Sequence, residues 1–310
     1  MSVEAAEGLI LEGEVIATLP FNVSKCDAIV AMPISFNFLG EMISCSRVVL
    51  GLEMFDLLGI QSFSKNFSRE SRILTETLKI AVDKHDAERI VIFQHVDFLK
   101  DGIGSTRFGS RMDEDYYHKK GLVDAFRMVS GLHPNMRIDL IYVRLVKDQS
   151  EIEFSKVFED GSEEVCLRTP YRFRGVTACP TTVIQCLDYR FRPATRICIR
   201  EAFKIKYFNV IGLPGSVKSF LAESRTAWKS MQVAYEKYGC REFVLVQHAD
   251  CGAYGGLSAF VDAYEEECFQ REELKRMRTK ILDKYPDVGV MMIYVRVING
   301  NKHMQFVLIG

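Results

Sequence analysis

Hydrophobic and polar positions along this chain fall into short apolar runs separated by stretches with helical spacing. Runs rich in β-branched residues near 27–32, 55–59, 89–94 and 138–145 predict strands. The same pattern returns near 180–185, 208–212, 242–247 and 290–297. Between strands, Leu74, Leu78, Ala81 and Val82 recur at helical spacing over Ser71–His85, as Ala227, Met231, Ala234 and Tyr235 do later. Strands alternating with helices predict βαβ units, hence an α/β fold whose parallel sheet is covered on both faces.

The two series are copies of one another. IVIFQHVDF at 90–98 aligns with FVLVQHADC at 243–251, which sets His95 and His248 153 residues apart. The same offset pairs Cys26 with Cys179, Phe38 with Phe191, FDLLGI at 55–60 with FNVIGL at 208–213, and Ser71-Arg72 with Ser224-Arg225. One register held from Cys26 to Phe98 marks a tandem duplication. After a slip to 152, HPNMRIDLIYVRLV at 133–146 matches YPDVGVMMIYVRVI at 285–298, and Phe154 matches Phe306. Two repeats are expected, 1–165 and 166–310, with the boundary in the acidic, partly strand-like stretch at 147–165.

Charge and cysteine content narrow the range of partners. Lys+Arg 40 against Asp+Glu 41 gives a net charge of -1, which offers no basic footprint for nucleic acid or an anionic membrane. A small-molecule substrate is the expected partner. Nine cysteines in no framework spacing point to a reducing compartment, with most of them buried as small hydrophobes. The acidic start MSVEAAEGLILEGEV is unlike a signal peptide, and no apolar run approaches the ~20 residues of a membrane span, so a cytoplasmic protein is expected.

The second copy carries residues that the first lacks. The run TTVIQ ends in CLDYR, so Cys186, Asp188 and Arg190 stand at alternate positions, on one face if the chain stays extended. FVLVQH delivers His248, with Cys251 three residues later and a glycine after it. Together Cys186, His248 and Cys251 offer two thiolates and an imidazole to a tetrahedral Zn2+, leaving a fourth position open for chemistry. In register, Cys186 corresponds to Pro33, Asp188 to Ser35, Arg190 to Asn37 and Cys251 to Phe98. The first repeat is therefore expected to hold no metal, with His95 a hydrogen-bonded remnant.

Blander readings accompany each feature. A single cysteine is ordinarily core, and Asp188 with Arg190 could form a surface ion pair of little worth. GLPGS at 212–216 reads as a plain turn rather than a phosphate loop. The arginines of YRFRPATRICIR read as a solvated helix face, and Asp250 and Tyr254 as candidate supports for the ligands.

Cys-Leu-Asp-Tyr-Arg followed 62 residues from its cysteine by His-Ala-Asp-Cys-Gly resembles the signature of the β-class carbonic anhydrases, Cys-x-Asp-x-Arg and His-x-x-Cys-Gly. The resemblance covers the second repeat well and the first only through it. It implies a parallel-sheet α/β fold and a dimer with the site at the subunit interface, so two fused repeats would form an internal pseudo-dimer, with a homodimer of such pairs the next level of assembly. It implies zinc on Cys186, His248 and Cys251, with Asp188 and Arg190 as the catalytic dyad that gates the metal. The activity it implies is reversible hydration of carbon dioxide to bicarbonate by a zinc-bound hydroxide. Hydrolysis of carbonyl sulfide or carbon disulfide on the same site is one alternative, and a non-catalytic zinc-containing binding protein is another. The chain departs from the family at Leu187, at the bulky Tyr189, at GLPGS in place of an asparagine-alanine-glycine segment, and at Ala253-Tyr254-Gly255-Gly256 after the last ligand.

Overall fold

The computed structural model describes residues 12–21, 25–34, 37–61, 71–96, 108, 110–147, 150–171 and 178–310. The first repeat runs β2 (Ala28–Pro33), α1 (Leu39–Val48), β3 (Phe55–Ile60), α2 (Ser71–His85), β4 (Arg89–His95), α3 (Arg111–Leu132), β5 (Arg137–Val146) and β6 (Glu151–Val157). The second repeats that order as β8 (Thr181–Cys186), α4 (Arg192–Glu201), β9 (Asn209–Leu213), a short α5 (Lys218–Leu221), α6 (Arg225–Glu236), β10 (Glu242–His248), α7 (Ala263–Lys284), β11 (Gly289–Ile298) and β12 (His303–Ile309). Every strand expected from the apolar runs is present within a residue or two, and α2 has the expected span.

Two further strands exchange places. β1 (Glu14–Pro20) lies at the start of the first repeat's span but pairs antiparallel with β12, on the second repeat's sheet. β7 (Glu163–Pro170) precedes β8 but pairs antiparallel with β6, on the first repeat's sheet. The sheets are thus equivalent, β3-β2-β4-β5-β6-β7 and β9-β8-β10-β11-β12-β1. Each is parallel across its first four strands and antiparallel beyond. The expectation of a parallel sheet therefore holds for the part that carries the site. β6, β7 and β12 run antiparallel because short connections join each to the strand before it, where a parallel return would need a long crossover; β1 reaches β12 from the other end of the chain.

Strand residues alternate between two apolar cores, and each core draws on both repeats. Ile29, Leu58, Ile184, Ile211 and Leu245 lie in one; Val30, Leu57, Val183, Val210 and Val246 lie in the other. Burial on both faces is why these strands read as continuous apolar runs. The edge strands β3 and β9 face each other across the repeat interface, where the Leu57 amide donates to the Leu187 carbonyl at 2.9 Å. Gly59 and Gly212, one repeat offset apart, occupy the closest approach. A Cβ on Gly212 would sit 2.1 Å from the Leu57 carbonyl oxygen, and one on Gly59 2.7 Å from that of Val210. Gly212→Ala is expected to cost about 3 kcal/mol, because backbone must move on both sides. The urea midpoint reads this directly, and an unchanged midpoint would mean that the two edges do not meet so closely.

Arginine placement on α4 differs from a solvated face. Arg192, at its first turn, is buried with its guanidinium 4.1 Å above the Phe55 ring, while Arg200 is exposed. Burial, with Arg47 and Arg196 nearby, lowers Arg192 to about 9. The helix start is packed against the other repeat, which a charge count along the helix does not register. Seven of the nine cysteines are buried, Cys166 and Cys268 being the others, and all nine are free thiols. Among the described residues, no helix is long and apolar enough to cross a membrane.

Candidate metal centre

The two strands that end in the expected ligands are adjacent and parallel, β8 beside β10, so both deliver their last residues to the same end of the sheet. Cys186 closes β8 and His248 closes β10; Cys251 follows on a turn leading into the 3-10 segment Gly252–Tyr254. All three are buried, and one donor atom from each lies within 4.8 Å of the others. The sulfurs of Cys186 and Cys251 are 3.8 Å apart. The hydrogen bond between them lowers the Cys186 thiol well below its ordinary value, and the same bond, with burial, raises Cys251.

His248 is oriented as a ligand. Its Nδ1 donates to the Ala249 carbonyl at 2.8 Å, its ring stacks on Phe191 at 4.0 Å, and its buried Nε2 finds no hydrogen-bond partner among the described residues. Fixing one ring nitrogen on a carbonyl leaves the other as a lone-pair donor. An orphaned imidazole nitrogen beside two sulfurs, one of them easily ionised, is the donor set that Zn2+ takes.

Asp188 is buried, and the half-buried Arg190 pairs with it rather than forming a fully exposed surface pair. Arg190 grips both carboxylate oxygens, Nε at 3.0 Å from Oδ1 and Nη2 at 2.7 Å from Oδ2, and its own amide donates to Oδ1 at 3.0 Å. Burial alone would raise Asp188; the Arg190 hydrogen bonds and charge outweigh it and hold the carboxyl at about 2. Asp188 Oδ2 also lies 3.9 Å from His248 Nε2.

The supports come from the next loop and helix. Asp250, in left-handed backbone at φ 55, accepts Arg190 Nη1 at 2.9 Å and the Leu257 amide at 3.0 Å. Tyr254 accepts Gln247 Nε2 at 2.9 Å. Glu266, which the sequence did not single out, takes the amides of Asp250 and Cys251 at 2.9 and 3.2 Å. Gln270, one turn on, donates to the His248 carbonyl and to Glu266. Their only trace in the sequence is the four-residue spacing that puts a Glu and a Gln on one face of α7; that both are fully buried there is a finding of the structure. GLPGS is a turn, with the Ser216 amide bonded to the Leu213 carbonyl, and Gly215 lies against Ala253 of the ligand loop.

The first repeat's counterpart is different. Pro33 ends β2 where Cys186 ends β8, and His95 sits beside Phe38 with Nδ1 2.6 Å from the Val96 carbonyl, as His248 does beside Phe191. Ser35 and Phe98 lie outside the described residues. Among the described residues, the other group able to hold a metal is Asp56, His85 and Asp188, which shares Asp188 with the site above.

Comparison with known proteins agrees with this geometry. Residues 176–307 match the family described as "Putative carbonic anhydrase". That span holds Cys186, Asp188, Arg190, His248 and Cys251, and the first repeat lies outside it. Two bacterial proteins are also similar, both described as uncharacterized. One from Rickettsia bellii is 25% identical over 109 residues, 34% of this chain. One from Rickettsia conorii is 23% identical over 118 residues, 36% of this chain. The chain spans 63% of the length of each of these relatives.

Proposed function

We propose that the protein is a zinc enzyme that interconverts carbon dioxide and bicarbonate, with Cys186, His248 and Cys251 holding the metal. The observation that carries this reading is the convergence of two cysteines and an orphaned histidine nitrogen with a buried Asp188 held by Arg190, within the span that matches the carbonic anhydrase family. Zinc bound there would supply the Lewis acidity that makes water nucleophilic at neutral pH. The remaining work falls to side chains. Glu266 and Gln270 hold the ligand loop, and Phe191 holds the His248 ring, so the donors are set before metal arrives. Asp188, held at about 2, is a carboxylate throughout the neutral range. Its Oδ2 therefore accepts a hydrogen bond from water without keeping the proton, which must leave to solvent. Arg190 fixes that carboxylate by two parallel hydrogen bonds.

The initial rate of carbon dioxide hydration, followed by stopped flow at neutral and alkaline pH on protein of measured zinc content, tests this reading. Zinc-dependent hydration at either pH is the expected result. One zinc per chain with no hydration at either pH would overturn it; sulfide release from carbonyl sulfide or carbon disulfide would then identify the related hydrolase.

A further inference from the structure

The repeat without metal ligands reaches into the centre of the other. Asp56 lies on β3 and His85 ends α2; both belong to the first repeat and both are buried. His85 Nδ1 is 2.7 Å from Asp56 Oδ2, and its Nε2 is 3.6 Å from Asp188 Oδ2. The other oxygen of Asp56 accepts the amide of Tyr189 at 2.9 Å, the residue between Asp188 and Arg190. Tyr189 sets its ring edge-on against the His85 imidazole at 5.2 Å. One carboxylate from the first repeat thus holds the backbone of the second, while the imidazole it orients faces the site carboxylate.

Proton placement follows from the partners. Asp56 takes the hydrogen on Nδ1, so a neutral ring would aim its Nε2 lone pair at a negative oxygen of Asp188. An imidazolium instead hydrogen-bonds Asp56 and sets its positive ring beside Asp188, with Nε2 at 3.6 Å, an electrostatic contact rather than a hydrogen bond. The groups facing His85 are Asp56 from β3, and Asp188, Tyr189 and Arg190 from the turn after β8. Burial lowers His85, and the two carboxylates outweigh burial and raise it.

The duplication supplies an internal comparison. One repeat offset on, Asp56 becomes Asn209 and His85 becomes Tyr238, and Tyr238 donates to the Ile34 carbonyl beside Pro33, at the end that lacks ligands. The acid–imidazole pair is present only in the copy that faces the metal ligands, and the ligands only in the copy that faces the pair. A purely structural contact would have no reason to follow that division.

Resting on the carbonic anhydrase reading above, we propose that His85, oriented by Asp56, is a positioning residue that the first repeat contributes to the second repeat's metal centre. It stands 3.6 Å from the Asp188 Oδ2 that Arg190 also holds, and with Arg190 keeps the carboxylate from turning onto a metal bound at the three donors. Oδ2 lies 3.9 Å from His248 Nε2, so the carboxylate stands next to the donor set without belonging to it. Without His85 the closed arrangement gains, and anything that must bind the metal's open position binds more weakly by the population lost.

The test uses the full chain with cobalt in place of zinc and thiocyanate as the probe, titrated by visible absorption near neutral pH. His85→Ala is expected to keep its cobalt stoichiometry while binding thiocyanate about tenfold more weakly. In an Asp188→Ala background the same change is expected to have no further effect, because it acts through Asp188. Asp56→Asn, nearly isosteric, is expected to weaken thiocyanate in the same direction and stands in if His85→Ala does not fold. Wild-type protein that binds cobalt and thiocyanate, with His85→Ala or Asp56→Asn binding equally tightly, overturns the role of His85 alone. Wild-type protein that takes up no cobalt overturns the metal reading and this inference with it.

Discussion

Cys186→Ser is expected to strip the protein of most of its zinc while leaving it folded. A serine hydroxyl stays protonated near neutral pH, so the substitution removes a thiolate ligand and leaves its neighbours in place. With only His248 and Cys251 remaining, zinc affinity should fall by more than the roughly hundredfold typical of losing a supporting hydrogen bond to a ligand. The loss is larger here because the substitution removes a donor itself rather than a group that supports one. Zinc per chain after equilibration with a competing chelator measures it. Cys198→Ser, at a cysteine buried on α4 away from the ligands, is the matched control and should keep its metal. Undiminished zinc affinity in Cys186→Ser would remove that residue from the ligand set.

Asp188→Ala is expected to separate metal binding from turnover. Cys186, His248 and Cys251 are held by contacts that do not involve Asp188, so zinc content should be unchanged. The lost acceptor is ionised, buried and fixed by Arg190, and its removal should lower kcat by on the order of a hundredfold, as for other preorganised hydrogen-bonding groups. Stability also suffers. Arg190 is half-buried and would keep Asp250 as its carboxylate partner, so the loss should be less than the ~3–5 kcal/mol of leaving a buried charge unpaired. Measuring kcat per bound zinc, at a temperature where the variant is folded, keeps the two effects apart. Full activity per zinc would end the catalytic role of the aspartate.

The duplication, the strand positions and the convergence of Cys186, His248 and Cys251 were legible in the chain because each is local or repeats at a fixed offset. β8 and β10 could be placed by their apolar runs, and residues at the ends of neighbouring parallel strands necessarily arrive at the same edge of the sheet. That is why Cys186, His248 and Cys251 could be assembled before any coordinates. The Asp188–Arg190 pair was visible as spacing, but the burial that makes it strong was not.

Contacts between the repeats are another matter, since nothing in a local pattern states which surface a segment will meet. The exchange of β1 and β7 is a choice of partner made by two short edge strands whose pattern fits either sheet. Arg192 read as solvated because its sequence neighbours are charged, whereas the packing of α4 against Phe55 buries it. Asp56 and His85 stand far from the ligands in sequence and in the copy that has none. Their only sign was an acid inside an apolar strand, FDLLGI, matched by asparagine in the second copy. By itself the sequence determined the repeat, the elements and the donor set, because period and residue chemistry are local. The tertiary structure decided which segments of the two repeats meet, because that depends on surfaces packing across an interface.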